Sequence, residues 1–495
     1  MLGISTILIA LVVCLLILHY LKQLWSHRSY PPGPLELPII GSIWKLGYKL
    51  SPDILIKLAK QYGNIYTLWL GPMPIVVLSG YEAVKEGLIN HSEDFADRPV
   101  TPFLKVAAKE QGIVFSNGHI WKQQRKFGMV TLRKLGLGKK GMEHQIEEEA
   151  HQLVETFARA KGQPFDPSVP IINSVSNVIC ALAFGHRFSV EDKEFLKLLE
   201  AVDRLLKFPT TNSHSLYEIS PWLMEHLPGP HRKTLACIDI IYSFVKKEIK
   251  KHQENPAVHE PQDFIDFYMF QMTKESKHDP NSTYNEENLT QCIFDLFIAG
   301  TETTSLTLRW ALLHMANHPD IQEKVHKEIE DVLGSSQSLN YQDRKKLPYT
   351  HAVIHEIQRC QYILFFGLPR QSTKNVNMLG FLIPKEVIVV PDLQSVLLDP
   401  KQWKTPEAFN PNHFLDKDGR FVEREAFLPF GAGARVCLGE QLAKIELFVF
   451  FTTLMRAFTF QPPKGVKQLS TVPEVGTSLV PFPYKLCAVP RCSSS

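Results

Sequence analysis

Phe430-Gly431-Ala432-Gly433-Ala434-Arg435-Val436-Cys437-Leu438-Gly439 places one cysteine in a glycine-rich loop just before an apolar helical segment. Physically this is a thiolate site. Glycines let the backbone approach a flat ligand closely, and N–H groups near the start of the following helix donate to sulfur and lower its pKa. Arg435 lies two residues away, where its guanidinium answers an anionic group on the same ligand. A bare G-x-R-x-C reads more simply as a tight turn around a buried structural cysteine; the full spacing favours the ligand.

The remaining cysteines, Cys14, Cys180, Cys237, Cys292, Cys360, Cys487 and Cys492, form no C-x-x-C pair. Neither a zinc site nor a disulfide framework is indicated, and a reducing compartment fits best. The chain has 495 residues, 44% hydrophobic and 21% charged, and 54 basic side chains against 51 acidic ones leave a formal charge of +3. Hydrophobic content this high excludes a disordered chain, while 27 glycines and 34 prolines exclude a collagen-like polymer. So small a net charge makes no case for nucleic acid, which wants a concentrated basic stripe.

From Leu2 to Leu21 no side chain is charged. Twenty residues make about 30 Å of helix, the thickness of a bilayer's hydrocarbon core. Lys22 and Arg28 follow this run and bulky Tyr20, Leu21 and Trp25 stand at its boundary, so an uncleaved anchor is favoured over a signal peptide. The positive flank puts the body on the cytosolic side, where the Asn281-Ser282-Thr283 and Asn288-Leu289-Thr290 glycosylation patterns stay unmodified. Pro31-Pro32-Gly33-Pro34 then forms a stiff, non-helical spacer. The expected organisation is a transmembrane signal anchor over 1–21, a basic and proline-rich linker over 22–38, and a single catalytic domain over 39–495.

The body carries no internal repeat. Its longest helix is expected from Glu286 to Asn317, with Asn285 as N-cap, Glu286 and Glu287 in the first turn and Pro319 closing it. Further helices are expected around His119–Arg133, Gly141–Ala160, Pro319–Leu333, Pro348–Gln361 and Gly439–Phe458, and Lys246–Lys251 reads as a solvated helical face. Short strands are expected at Ile65–Leu70, Ile75–Leu78 and Val387–Pro391. Gly136-Leu137-Gly138-Lys139-Lys140-Gly141 formally satisfies a dinucleotide fingerprint, but a helical segment precedes it where a strand is required, so it is set aside.

Three motifs accompany the cysteine loop. In Ala299-Gly300-Thr301-Glu302-Thr303-Thr304, small residues inside the long helix make room for a diatomic ligand, and the Thr303 hydroxyl can bond a carbonyl or a proton-delivering water, with Glu302 as relay. Glu356-Ile357-Gln358-Arg359 is an E-x-x-R, which on an exposed helix would be a pair worth only about 0.2–0.5 kcal/mol. Trp121 and Arg125, four apart, share a helix face.

The ten residues around Cys437 resemble the haem-binding signature F-x-x-G-x-R-x-C-x-G of the cytochrome P-450 haem-thiolate monooxygenases, and every specified position agrees. The other motifs resemble that family's A-G-x-[DE]-T-T, E-x-x-R and W-x-x-x-R, in the same order. The resemblance spans nearly the whole chain and is nearest the microsomal branch that oxidises xenobiotics and fatty acids. It implies a mainly α fold with a small β portion, the cytochrome P-450 fold, built around haem b. Cys437 is then the axial iron ligand, because a thiolate pushes electron density that favours O–O cleavage. Phe430 and Gly439 belong to its loop, and Arg98, Trp121, Arg125, Arg370 and Arg435 are propionate partners. Thr303 and Glu302 are the catalytic pair beside Ala299, with O2 as co-substrate and NADPH supplying electrons indirectly.

By the same resemblance Glu356 and Arg359 form a buried pair tied to His413, which stands in Pro411-Asn412-His413-Phe414 where Arg is commonest. The substrate side would be lined by Phe103, Phe115, Phe294, Phe297, Ala299, Ile363, Leu364, Phe365 and Thr477, an apolar aromatic set suited to a lipophilic small molecule. Two departures are Glu386, where Gly is usual, and Leu398, where His is usual. Expected partners are an NADPH-cytochrome reductase, cytochrome b5 as a second donor, and membrane lipid at the endoplasmic reticulum. Lys122, Lys126, Arg133, Lys139, Lys140 and Lys444 are candidates for a basic docking face, and Trp222-Leu223-Met224 for an apolar loop that dips into lipid or covers the pocket. The competing functions are an oxygen-independent haem-thiolate isomerase, disfavoured by the intact Glu302–Thr303 pair, and a non-catalytic haem carrier or sensor.

Overall fold

A computed structural model describes residues 29–491 except 39, 47–52, 137–139, 256–259, 276–280 and 335–338, together with Gly3, Cys14 and Leu18. The anchor expected over 1–21 lies outside the described residues apart from those three, as do the first part of the linker and Lys139. Among the described residues no helix is long and apolar enough to cross a membrane. They form two compact units.

The first unit comprises Met1–Pro99, Phe366–Val396 and Ala432–Ala434. Its strands are β1 (Ile65–Leu70), β2 (Met73–Ser79), β3 (Arg370–Gln371), β4 (Val376–Met378), β5 (Phe381–Ile383) and β6 (Ile388–Asp392). Four of them make a sheet in the order β1-β2-β6-β3, with β2 parallel to β6 and the other pairs antiparallel, while β4 and β5 form a separate hairpin. The β-branched and aromatic residues of β1 and β2 favour the pleated form. Helix α1 (Ile54–Tyr62) packs Leu55 and Leu58 against Tyr66, Leu68, Val77 and Val390, which is why β1 is buried on both faces. Helix α2 (Gly80–Lys85) follows β2.

The proline stretch is docked rather than free. Thr67 N–H donates to Pro32 O at 2.9 Å, Tyr30 meets Trp69 edge-on at 5.3 Å, and a Cβ on Gly33 would overlap the Thr67 carbonyl oxygen. Glu386, where glycine is usual, keeps the left-handed turn that glycine would favour, at φ +67°.

The second unit comprises Val100–Phe365, Leu397–Gly431 and Arg435–Ser495. Its helices are α3 (Pro102–Ala107), α4 (Gly118–Lys134), α5 (Lys140–Ala158), α6 (Ser168–Phe184), α7 (Lys193–Lys207), α8 (Asn212–Ile219), α9 (Pro221–His226), α10 (Pro230–Glu254), α11 (Phe264–Glu275), α12 (Glu286–Asn317), α13 (Pro319–Leu333), α14 (Pro348–Cys360) and α15 (Glu440–Ala457). Its strands are β7 (Phe458–Gln461), β8 (Pro473–Val475), β9 (Leu479–Pro481) and β10 (Cys487–Pro490), paired antiparallel as β7 with β10 and β8 with β9.

Helix α12 has the bounds its sequence predicts. The Asn285 side chain accepts from Asn288 N–H at 2.8 Å, and Pro319 opens the next helix. It runs through the core, packed against α6, α10 and α15. Helix α6 carries no charge and is buried on nearly all sides, so it shows no amphipathic stripe by which to recognise it. The segment before the G-x-G-x-x-G pattern is the end of α4, a helix, as its rejection requires. Trp222, Leu223 and Met224 sit in the short helix α9 rather than a loop; the first two are exposed and Met224 is buried inward.

Candidate active site

Helix α12 is buried along most of its length, yet from Ile298 to Thr303 only Thr301 is fully covered, and Ala299 is exposed. Accessible surface in the middle of a core helix means an internal opening. Cys437, just ahead of α15, has the same character. Burial pushes its thiol pKa up, so it lies deep in the protein, but its surface is open rather than packed. These two open stretches belong to one unit and to neighbouring elements, since α12 packs on α15.

The loop holds the sulfur by backbone geometry. Cys437 N–H donates to Phe430 O at 3.0 Å, and the N–H groups of Gly439 and Glu440, at the start of α15, hydrogen-bond the sulfur and oppose the effect of burial. Arg125 adds a positive charge nearby. Its guanidinium donates to Val436 O at 2.7 Å, tying α4 to the loop, while burial lowers its own pKa. In the first unit Gly433 takes φ +72°, and a Cβ there would overlap the Leu88 carbonyl oxygen. Gly433→Ala therefore combines a strained dihedral with a backbone collision. It should cost more than about 2 kcal/mol, read as a melting temperature several degrees lower.

Arg435 does more than the sequence suggests. It donates to Ser116 O at 2.7 Å, Asn117 Oδ1 at 3.2 Å, Ile113 O at 3.3 Å and Val114 O at 3.4 Å, and it lies 3.9 Å above the Trp121 ring. It thus organises residues 113–117 as well as offering charge. The Trp121 indole Nε1 is buried with no acceptor among the described residues. An open thiol flanked by helix-start N–H groups, two guanidiniums and an unanswered indole N–H fits haem, a flat group carrying an iron and two carboxylates. In the first unit Arg98 is buried and donates to Leu368 O at 3.0 Å and Pro369 O at 2.6 Å, and Arg370 is buried also.

On α12 the Thr303 hydroxyl donates to Ala299 O at 2.7 Å, the local competition with helix bonding expected of it. Gly300 serves a different purpose from the one expected. A Cβ there would overlap Ile179 Cδ1, so its missing side chain is filled by α6 and the open space lies beside Ala299 instead. Glu302 Oε1 accepts from the Ser478 hydroxyl at 2.9 Å, and burial raises the Glu302 pKa. Thr304 donates to Glu446 Oε2 at 3.0 Å; the other oxygen of that fully buried acid has no partner among the described residues, and its pKa is pushed up to about 8.

Glu356 and Arg359 form a fully buried bidentate pair. Arg359 Nε and a terminal nitrogen each stand 2.7 Å from a Glu356 oxygen, and the guanidinium also donates to Leu397 O, Pro406 O and Ala408 O. Asn410 N–H donates to Glu356 at 2.8 Å. Thr405 N–H donates to His413 Nε2, and the other ring nitrogen, Nδ1, lies 3.1 Å from Glu356. The histidine thereby completes, beside Arg359, the set of groups around Glu356.

Among the residues expected to line a substrate, Phe115, Ile363, Leu364 and Thr477 are half-buried like Thr303, whereas Phe103, Phe294, Phe297 and Phe365 are buried. Phe297 packs edge-on to Phe195 and Phe294 stacks on Tyr242 at 5.2 Å, so both also serve the core. Sequence reasoning missed Asp295. Its Oδ2 accepts the N–H groups of Ile113 and Val114 at 2.7 and 2.9 Å, pinning to α12 the segment that Arg435 holds by its carbonyls. A single acid within Cys292-Ile293-Phe294-Asp295-Leu296-Phe297 was the available signal, since a buried carboxylate must be hydrogen-bonded. It also missed Ser478, for which no local signal exists. On α4 the candidate cations Lys122, Lys126 and Arg133 are exposed, whereas Lys444 is half-buried and paired with Glu440 at 2.6 Å.

A sequence model of the cytochrome P450 family matches residues 31–488. Cytochrome P450 2J5 of Mus musculus is 43% identical over 491 residues, 99% of this chain and 97% of that protein. Cytochrome P450 2J2 of Homo sapiens is 43% identical over 488 residues, 98% and 96% of the two chains. Cytochrome P450 2C23 of Rattus norvegicus is 41% identical over 495 residues, 99% and 100%.

Proposed function

Since the chain belongs to the cytochrome P450 family of haem monooxygenases, which use O2 and electrons passed from NADPH by a reductase, we propose that it oxygenates a lipophilic small molecule, xenobiotic or fatty-acid-like, at the endoplasmic reticulum membrane. The observation that carries this reading is the open thiol of Cys437 in the unit where α12 opens at Ala299–Thr303. Cys437 ligates the iron, and Trp121, Arg125 and Arg435 hold the haem carboxylates, with Phe430 and Gly439 shaping the loop. When bound, haem supplies the iron at which O2 is reduced and one of its oxygen atoms is transferred to the substrate.

The chain's own work is to position and to move protons. Thr303 places a hydroxyl beside the exposed Ala299, and Glu302 passes protons inward from solvent to that hydroxyl or to a water it holds. Phe115, Ile363, Leu364 and Thr477 present half-buried, mostly apolar surface, which selects substrates by shape and exclusion of water rather than by charge. The exposed Lys122, Lys126 and Arg133, spaced along one face of α4, suit an acidic reductase surface, and association should weaken with salt. Exposed Trp222 and Leu223 suit contact with lipid. The anchor over 1–21 and a cytosolic catalytic domain complete the arrangement.

The test is Thr303→Ala in the haem-loaded protein with reductase. Product formed per NADPH consumed should fall by roughly tenfold or more, while NADPH consumption continues. Unchanged product yield in this variant would remove Thr303 from the proton path.

A further inference from the structure

The hairpin of β8 and β9 lies far from α12 in sequence, yet it is fixed to the second unit on three sides. Thr477 N–H donates to Leu206 O at 3.1 Å at the end of α7. Phe365 N–H donates to Thr477 O at 2.9 Å, and Leu479 N–H donates to Ile363 O at 2.7 Å, so the segment after α14 is stitched to both sides of the turn. The Trp310 indole of α12 donates to Leu479 O at 2.9 Å. Between these ties stands Ser478, 5% exposed, its hydroxyl 2.9 Å from Glu302 Oε1 and 176 positions away in the chain.

The bond divides the two oxygens of Glu302. Oε1 is engaged by a hydroxyl whose backbone cannot shift without breaking the neighbouring hydrogen bonds, while Oε2 has no hydrogen-bond partner among the described residues. We propose that Ser478 is a positioning residue of the proton relay: it anchors Oε1 so that the Glu302 carboxyl keeps one orientation and exchanges protons through Oε2. In each delivery Glu302 takes one proton from solvent onto Oε2 and hands one on toward Thr303, returning to the carboxylate with Ser478 still bound. This rests on the reading of Glu302 as the relay acid.

The electrostatic surroundings agree. The charged groups acting on Glu302 are Arg309 on its own helix and Asp203 and Lys207 on α7, the latter two an exposed ion pair at 3.0 Å. Helix α6, packed along α12, brings no charged side chain. Arg309 and Lys207 favour the carboxylate and Asp203 and burial oppose it, so the Ser478 hydroxyl is the neutral donor that favours the ionised form.

Infrared titration of the ferric haem protein reads this without turnover. The Glu302 carboxyl band is assigned by its loss in Glu302→Gln. In Ser478→Ala its half-titration should move to higher pH by about one unit, the direction set by losing a donor to the charged form, and Ser478→Thr should bring it back. Product per NADPH should fall about two- to threefold in Ser478→Ala, with substrate affinity unchanged. A band titrating at the wild-type pH in Ser478→Ala overturns the proposal. If Glu302→Gln itself keeps wild-type product per NADPH, the relay role of Glu302 fails, whereas the anchoring is still decided by the band.

Discussion

Replacing Cys437 with histidine abolishes the absorption of a thiolate-ligated haem in the reduced, carbon-monoxide-bound state and takes monooxygenase turnover to background. The expectation rests on how completely the loop is built around one sulfur. Its backbone N–H is committed to Phe430 O, two N–H groups at the start of α15 point at the sulfur, and Arg125 adds charge beside it. Imidazole is larger, neutral as a ligand and unable to accept those N–H groups as a thiolate does, so electron donation to the iron is lost with the shape. Cys437→Ser separates the two effects by keeping the size. A difference spectrum of all three proteins measures the outcome. Wild-type absorption surviving the loss of sulfur at 437 would end the assignment.

Arg359→Ala is expected to be the most damaging substitution away from the cysteine loop. Deleting one partner of a buried ion pair leaves the other charge uncompensated and costs about 3–5 kcal/mol, a large part of the roughly 5–15 kcal/mol that holds a typical protein folded. Here the loss is compounded, because the carbonyls of Leu397, Pro406 and Ala408 lose their donor at the same time. Two further results follow. Arg359→Lys should rescue little, since one ammonium cannot span a bidentate carboxylate and three carbonyls. The double replacement of Glu356 and Arg359 by apolar residues, often tolerated for an isolated pair, should fail too, because those carbonyls stay buried and unanswered. Thermal unfolding and retained haem per protein report all three, and near-wild-type melting of Arg359→Ala would refute the argument.

These two sites also mark where local reading ends. The pairing of Glu356 with Arg359 is visible in the chain because residues three apart on a helix meet. Its burial is not visible, and burial turns a contact worth a few tenths of a kcal/mol into a structural keystone. The orientation of the His413 ring is likewise set by Thr405 N–H, which donates to the ring nitrogen facing away from Glu356. At Gly300 the small residue was legible but its reason was not, since only packing shows Ile179 in the place a side chain would take.

The sequence by itself determined the helix from Glu286 to Asn317, the strand from Ile65 to Leu70, and the spacing of the cysteine loop. In each case the signal is carried by residues within a few positions of one another: a cap, an apolar period, a glycine beside a nucleophilic side chain. Tertiary structure alone decided that Ser478 reaches Glu302, that Asp295 and Arg435 hold residues 113–117 from two sides, and that Cys437 is deep yet open. Those contacts join positions well over a hundred apart, and their energies depend on desolvation, a property of the packed whole that no local pattern encodes.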